Sequence, residues 1–225
     1  MAGSRSPSRD WIDPALLVLS TLAVAVIVVR LEPVHPFIEA NATGIVGAVF
    51  LIATWILVAA RGEHPADYGL GIAGWAGEIG WAALFSAIVF PPFLIGFRIW
   101  WGTSGRPFDW DLPWPVWQIV ATHLVVVALP EELLYRGFVQ QSLGRALKGR
   151  IRVLGTQVGW AVPITAAVFA LGHFATDLRP DRLATFFPAL LFGWLKERRG
   201  GLIAAILFHA ACNVLSDILA AGYLR

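Results

Sequence analysis

The chain has 225 residues, of which 57% are hydrophobic and only 14% are charged. Its mean hydropathy of +0.68 is far above that of an ordinary soluble domain and indicates a protein with several membrane-spanning segments. The net charge of +2 argues against a nucleic-acid partner, and the single cysteine, Cys212, excludes a disulfide within the chain.

Apolar stretches long enough to cross a bilayer predict an all-α, polytopic transmembrane helix bundle of about seven spans. The sixth stretch is short and contains Pro188, so six or eight crossings are the alternatives. We expect one membrane-embedded domain over residues 1–225. The predicted spans are residues 14–30, 43–60, 79–100, 116–143, 157–174, 183–196 and 201–220.

Basic residues are distributed unequally between the two sides of the predicted bundle. Ten lie on the side of the N-terminus and six on the other, which predicts a cytoplasmic N-terminus in a multi-pass protein of a bacterial inner membrane. The first apolar stretch resembles a signal peptide, but its length and the lack of a cleavage site indicate an uncleaved span. The two sets are Arg5, Arg9, Arg61, Arg145, Lys148, Arg150, Arg152, Lys196, Arg198 and Arg199, and then Arg30, Arg98, Arg106, Arg179, Arg182 and Arg225.

Three charged residues, Glu131, Glu132 and Arg136, lie inside the fourth apolar stretch. A charge near the middle of a membrane helix costs about 2.5–3.5 kcal/mol, so a pairing or catalytic role is expected. Glu132 and Arg136 are four residues apart and can pair on one helix face. Glu131 then remains available as a general acid or base. The alternative is that all three side chains only hold helices together.

Two further predicted spans carry polar groups of catalytic type. His173 lies at the end of the fifth span, and His209 and Asn213 share a face of the seventh. A single buried histidine is most often a structural group, but two histidines, an amide and an acidic pair on three apolar helices indicate a site. We therefore predict a catalytic pocket between spans four, five and seven. His123 is a weaker candidate for a supporting role.

Three short motifs occur in order on separate apolar stretches. They are EExxxR beginning at Glu131, FxxxH ending at His173, and HxxxN from His209 to Asn213. In these motifs the chain resembles the CPBP family of intramembrane endopeptidases, also called the ABI family, which includes the CAAX prenyl proteases and bacteriocin-processing enzymes. The resemblance covers residues 117–219, which would form the protease core.

The resemblance implies roles for individual residues. Glu131 and His173 would activate a water that attacks the scissile carbonyl, and His209 and Asn213 would stabilise the oxyanion. This assignment agrees with the chemistry of the side chains, because peptide hydrolysis needs a base for water and donors aimed at the developing negative charge. Glu132 and Arg136 would hold Glu131 in place.

Alternative chemistries use the same residues. A glutamate and two histidines also match a three-ligand zinc site, so a zinc protease is one alternative to the metal-free glutamic mechanism that we favour. We favour the latter because Asn213 is a poor zinc ligand and because no His-Glu-x-x-His pattern is present. Cys212 as a nucleophile is a weaker possibility than Cys212 as a small packing residue. A transporter or ion relay is the alternative outside proteolysis, although no inverted repeat supports it.

The expected partners are membrane lipids and a membrane-anchored or lipid-modified protein or peptide substrate. His173 lies near the non-cytoplasmic end of its predicted span, which predicts that the cavity leans towards that face. Such a cavity would favour exported or C-terminally anchored substrates.

Overall fold

A computed structural model describes residues 9–71 and 74–224 of the chain, which form seven helices and one β-hairpin. Arg5 and Arg225 of the charge count, and the first eight residues of the predicted domain, lie outside the described residues. The elements are α1 Arg9–Leu31, α2 Pro36–Ala60, α3 Trp75–Trp100, α4 Val116–Ala146, β1 Arg150–Val153, β2 Thr156–Gly159, α5 Ala161–Thr176, α6 Phe186–Arg199 and α7 Ile203–Tyr223.

The predicted all-α bundle is confirmed. Within the described ranges, five helices (α1, α2, α3, α4 and α7) are long and apolar enough to cross a membrane. The other two, α5 with 16 residues and α6 with 14, are shorter than a full crossing requires. The chain is thus an integral multi-pass membrane protein, and the short sixth stretch of the sequence corresponds to α6.

A β-hairpin interrupts the predicted fifth span, which was expected to begin at residue 157. Strands β1 and β2 pair antiparallel, with Val153 opposite Thr156, so only two residues form the turn. Both turn residues, Leu154 and Gly155, have positive φ angles of 48° and 79°, as a tight hairpin turn requires. The helix therefore starts only at Ala161, which shortens it.

Contacts between chain segments show that consecutive helices run in opposite directions. At one end, Arg61 after α2 pairs with Asp13 in α1 at 2.8 Å, and Arg199 at the end of α6 pairs with Glu78 in α3 at 2.8 Å. At the other end, the backbone N–H of Asp109 donates to the carbonyl of Gly222. The loops that carry most of the basic residues consequently gather at the first end.

Helix α4 contains two π-helical segments, Thr122–Ala128 and Leu133–Gln140, on either side of a short α-helical turn. That turn holds Pro130, which has no N–H to donate to the helical ladder. π-Helical segments widen a helix locally and are frequent at functional sites. The turn between them carries Glu131 and Glu132.

Packing divides the bundle into two clusters of buried side chains. The first joins α1, α2, α4 and α5 and also includes Ala189 of α6 and Ala210 of α7, and the second joins α3, α6 and α7 around Phe192 and Phe208. Close approach of α2 to α4 depends on Gly47, since a Cβ there would overlap the backbone carbonyl of Val126. Small residues at such contacts are typical of membrane helices, which associate through close packing.

Candidate active site

The predicted ion pair in α4 is present and fully buried. Arg136 Nη1 donates to Glu132 Oε1 at 2.8 Å, and both side chains are 0% exposed. Arg136 also donates to the backbone carbonyl of Ala189 in α6 at 3.3 Å. Its guanidinium lies 4.5 Å from the ring centre of Phe169 in α5 and 5.1 Å from that of Phe192 in α6. Arg136 thus connects three helices at one point.

His209 extends from α7 to both glutamates of α4. Its Nδ1 lies 2.8 Å from Glu132 Oε1, and its Nε2 lies 3.7 Å from Glu131 Oε2. The ring stacks on Phe192 at 4.6 Å between ring centres, which fixes its plane. Because a carboxylate only accepts hydrogen bonds, Nδ1 is the donor in the contact with Glu132.

His173 lies in the last turn of α5 with its ring 4.4 Å from that of Phe169. Its Nδ1 is 3.1 Å from the backbone carbonyl of Phe169. A carbonyl oxygen cannot donate, so Nδ1 carries the proton and Nε2 of the neutral ring is an acceptor. His173 is therefore set up to take a proton at Nε2.

Glu131 and His173 line a common cavity of about 190 Å³. The Glu131 side chain is 17% exposed, and its Oε2 is buried with no hydrogen-bond partner among the residues that the structure describes. The remaining lining residues are Leu22, Ala25, Val29, Glu32, Ala42, Thr43, Val46, Phe50, Tyr135, Gly172 and Thr176.

The walls of the cavity differ from those expected. Helices α1 and α2 supply most of the lining, together with α4 and α5, whereas the prediction placed the pocket between α4, α5 and α7. His209 of α7 approaches Glu131, but it is 3% exposed and does not line the cavity. The reason is that α2 packs directly on α4 at Gly47, which brings both N-terminal helices next to the acidic turn.

The other candidate residues lie farther along α7 and α4. Asn213 is half-buried one turn after His209 and makes no hydrogen bond to any part of the chain that is described. His123 Nε2 contacts Asp217 Oδ2 at 2.7 Å, so this histidine joins α4 to α7 instead of touching Glu131. Cys212 packs against the second buried cluster, and it is not among the lining residues.

Among the lining residues that the sequence analysis did not predict, Tyr135 and Glu32 have titratable side chains. Tyr135 stands inside the first motif and packs edge to face on Phe169, with ring centres 5.0 Å apart. Its position one turn after Glu131 was a usable signal. Glu32 comes from the turn after α1, and no pattern in the sequence places α1 beside α4.

A zinc site does not fit the side chains as they are placed. Among residues 9–71 and 74–224, no group of three His, Cys, Asp or Glu side chains could hold a metal ion. Both nitrogens of His209 already face carboxylates, at 2.8 and 3.7 Å.

Comparison with known proteins finds one family that is similar to the part of the chain that carries this acid and histidine cluster. Residues 112–215 match the family described as type II CAAX prenyl endopeptidase Rce1-like, and the matched segment contains all three motifs. This segment makes up a little under half of the chain, and over it the protein is similar to the CAAX prenyl endopeptidases, in agreement with the resemblance seen in the motifs. No curated protein and no solved structure matches the chain.

Proposed function

We propose that the protein is an intramembrane endopeptidase that hydrolyses a peptide bond of a membrane-anchored or lipid-modified protein or peptide. One observation carries the proposal: Glu131, with an oxygen that has no hydrogen-bond partner in the described chain, and His173, with its Nδ1 engaged, face the same cavity. A cavity of about 190 Å³ has room for water beside the two side chains.

Glu131 and His173 act as the base. One of them accepts a proton from water, and the resulting hydroxide attacks the carbonyl carbon of the scissile peptide bond. The same group returns the proton to the leaving nitrogen as the carbon–nitrogen bond breaks, so the site is regenerated. The neutral His173 ring can take part only through Nε2, because Phe169 holds the proton on Nδ1.

His209 and Asn213 provide the oxyanion site. The amide of Asn213 donates without any change of protonation, whereas His209 already donates from Nδ1 to Glu132 and donates from Nε2 only as an imidazolium. A single oxyanion donor is worth about 2.7–4 kcal/mol in other proteases. Asn213 is not among the residues that line the cavity, so its amide must turn towards the substrate for this role.

Glu132 and Arg136 act through their neighbours. Glu132 Oε1 accepts from both Arg136 and His209, which aligns the histidine with Glu131. Such support from buried partners keeps a catalytic group in a productive position.

The test compares wild-type protein with Glu131→Gln, which keeps the size of the side chain and removes its charge. Membrane peptides from cells that contain either form are sequenced at their new N- and C-termini. We expect termini that depend on Glu131, and a fall in the cleavage rate by a factor of about 10²–10⁴ in purified protein. Glu39→Gln, an exposed glutamate in α2 outside the cavity, is the matched control and keeps the rate.

Zinc analysis of the same preparations separates the two proteolytic mechanisms. In the metal-free mechanism, purified wild-type protein cleaves without bound metal. Stoichiometric zinc that is lost together with activity in Glu131→Gln would instead support the zinc-dependent alternative. Equal cleavage by wild type and Glu131→Gln would contradict both versions.

A further inference from the structure

The cavity beside Glu131 is lined, among the described residues, by acidic side chains but not by strongly basic ones. Its described lining contains two carboxylates, Glu131 and Glu32, and no lysine or arginine, while most other lining residues are apolar or small. Two acids without a cation attract a basic group and repel a second carboxylate. This charge bears on which peptides the cavity accepts.

Glu32 and the catalytic residues lie at opposite ends of the cavity. Leu22 is 3.9 Å from the position of a Cβ on Gly172, so it lies level with His173. Glu32 follows Leu22 by ten residues, which corresponds to about 15 Å along a helix axis. An extended peptide covers this distance with about four residues.

No described side chain neutralises Glu32, which makes neither a hydrogen bond nor an ion pair within residues 9–71 and 74–224. Two arginines at this end of the bundle pair with another carboxylate. Arg182 and Arg179 contact Asp177 at 2.7 and 3.2 Å. The hydrogen bond from Arg182 holds the pKa of the Asp177 carboxyl below its usual value, and Arg30 also interacts with Asp177.

We propose that Glu32 is a specificity-determining residue that selects substrates with a lysine or arginine three to five residues from the scissile bond. The inference rests on the proposed function and names the substrate class for that site. The apolar walls of α1 and α2 hold the intervening residues, and the basic side chain pairs with Glu32 at the far end. A half-buried position strengthens such a pair relative to one in open water.

The experiment uses the purified full-length protein and a library of peptides with randomised positions between apolar flanks. New termini are sequenced after cleavage by wild type, Glu32→Lys, Glu32→Gln and the control Glu39→Lys. Wild type should enrich lysine and arginine over acidic residues by about tenfold, or ~1.4 kcal/mol, at one position three to five residues from the cut.

The variants separate the possible outcomes. Glu32→Lys should reverse the preference at that position, Glu32→Gln should remove it, and Glu39→Lys should leave it unchanged. If cleavage that needs Glu131 occurs with no charge preference, or if Glu32→Lys and Glu32→Gln both keep the wild-type preference, the role of Glu32 is refuted while the proposed function stands. Absence of any cleavage that needs Glu131 refutes the proposed function and this inference together.

Discussion

Glu132 is the residue on which the buried charges converge. A single oxygen, Oε1, lies 2.8 Å from both Arg136 Nη1 and His209 Nδ1, and the carboxylate is 0% exposed. A carboxylate buried to this extent depends on its partners, and they depend on it. Its substitution should therefore affect stability as well as catalysis.

We expect Glu132→Gln to lower the free energy of unfolding by about 3–5 kcal/mol, because the Arg136 guanidinium then lies buried without a counter-charge. Glu132→Gln combined with Arg136→Met should be less destabilised than Glu132→Gln alone, since no unpaired charge remains. Denaturation in detergent, followed by the loss of helical circular dichroism, measures both variants.

Asp181→Asn provides the control for this pair. Asp181 forms an exposed ion pair with Arg179 at 3.5 Å, which is worth about 0–1 kcal/mol. Arg136→Met is measured alone as well. If the loss of stability in the double variant equalled the sum of the losses in Glu132→Gln and Arg136→Met, the two residues would act independently, contrary to their contact.

At the scale of helices, the approach of α2 to α4 determines the shape of the cavity. Gly47 lies against the carbonyl of Val126, between the lining residues Val46 and Phe50. Any side chain at position 47 must push the two helices apart. The cavity therefore depends on a glycine that takes no part in the chemistry.

Gly47→Ala should destabilise the protein by about 1–3 kcal/mol through overpacking and should slow cleavage, because α2 moves away from α4. Gly44→Ala is the matched control on the same helix, since no described atom lies within 4 Å of its added Cβ. It should stabilise α2 by about 0.5–1 kcal/mol. Thermal unfolding in detergent and cleavage rates measure both, and equal effects of the two changes would contradict the role of Gly47.

An element could be predicted from the sequence where residues close together in the chain carried a clear signal for it. The pair in α4 was predictable because residues four apart share a helix face, and long apolar stretches indicated α1 to α4 and α7. The hairpin was missed because its strands are only four residues each and one turn position is a leucine at positive φ. The late start of α5 followed from that error.

Within the site, the motifs indicated Glu131, His173 and His209, but not the helices that face them. The contact of His209 with both glutamates agrees with the expected convergence of three spans. The lining by α1 and α2 depends on packing between distant parts of the chain, which no local pattern encodes. Glu32 could not be assigned for this reason.

For the whole molecule, the distribution of charge sets the expected orientation. Loops at the end of α2, α4 and α6 carry Arg61, Lys148 and Arg199, while Glu32 and Thr176, which follow or end helices at the other end of the bundle, line the cavity. With the basic loops in the cytoplasm, the cavity faces the opposite side. This orientation stays a prediction.

Cysteine labelling checks the orientation. In a Cys212→Ala background, which should keep activity because Cys212 does not line the cavity, single cysteines replace the exposed residues Ser104 and Lys148. A membrane-impermeant thiol reagent added to intact spheroplasts should label Ser104→Cys and should reach Lys148→Cys only after permeabilisation. The reverse pattern would place the N-terminus and the basic loops outside.

The proposed catalytic groups and the walls of the cavity come from different parts of the chain, and this separation bears on how substrate preference can change between related proteins. The groups assigned to bond breaking all stand within residues 112–215, whereas the walls that a bound peptide would touch come mainly from residues 22–50. Grafting the first two helices of one relative onto the remainder of another should thus exchange substrate preference and leave the hydrolytic machinery in place. New substrates can be acquired in this way without altering a single residue of the acidic turn.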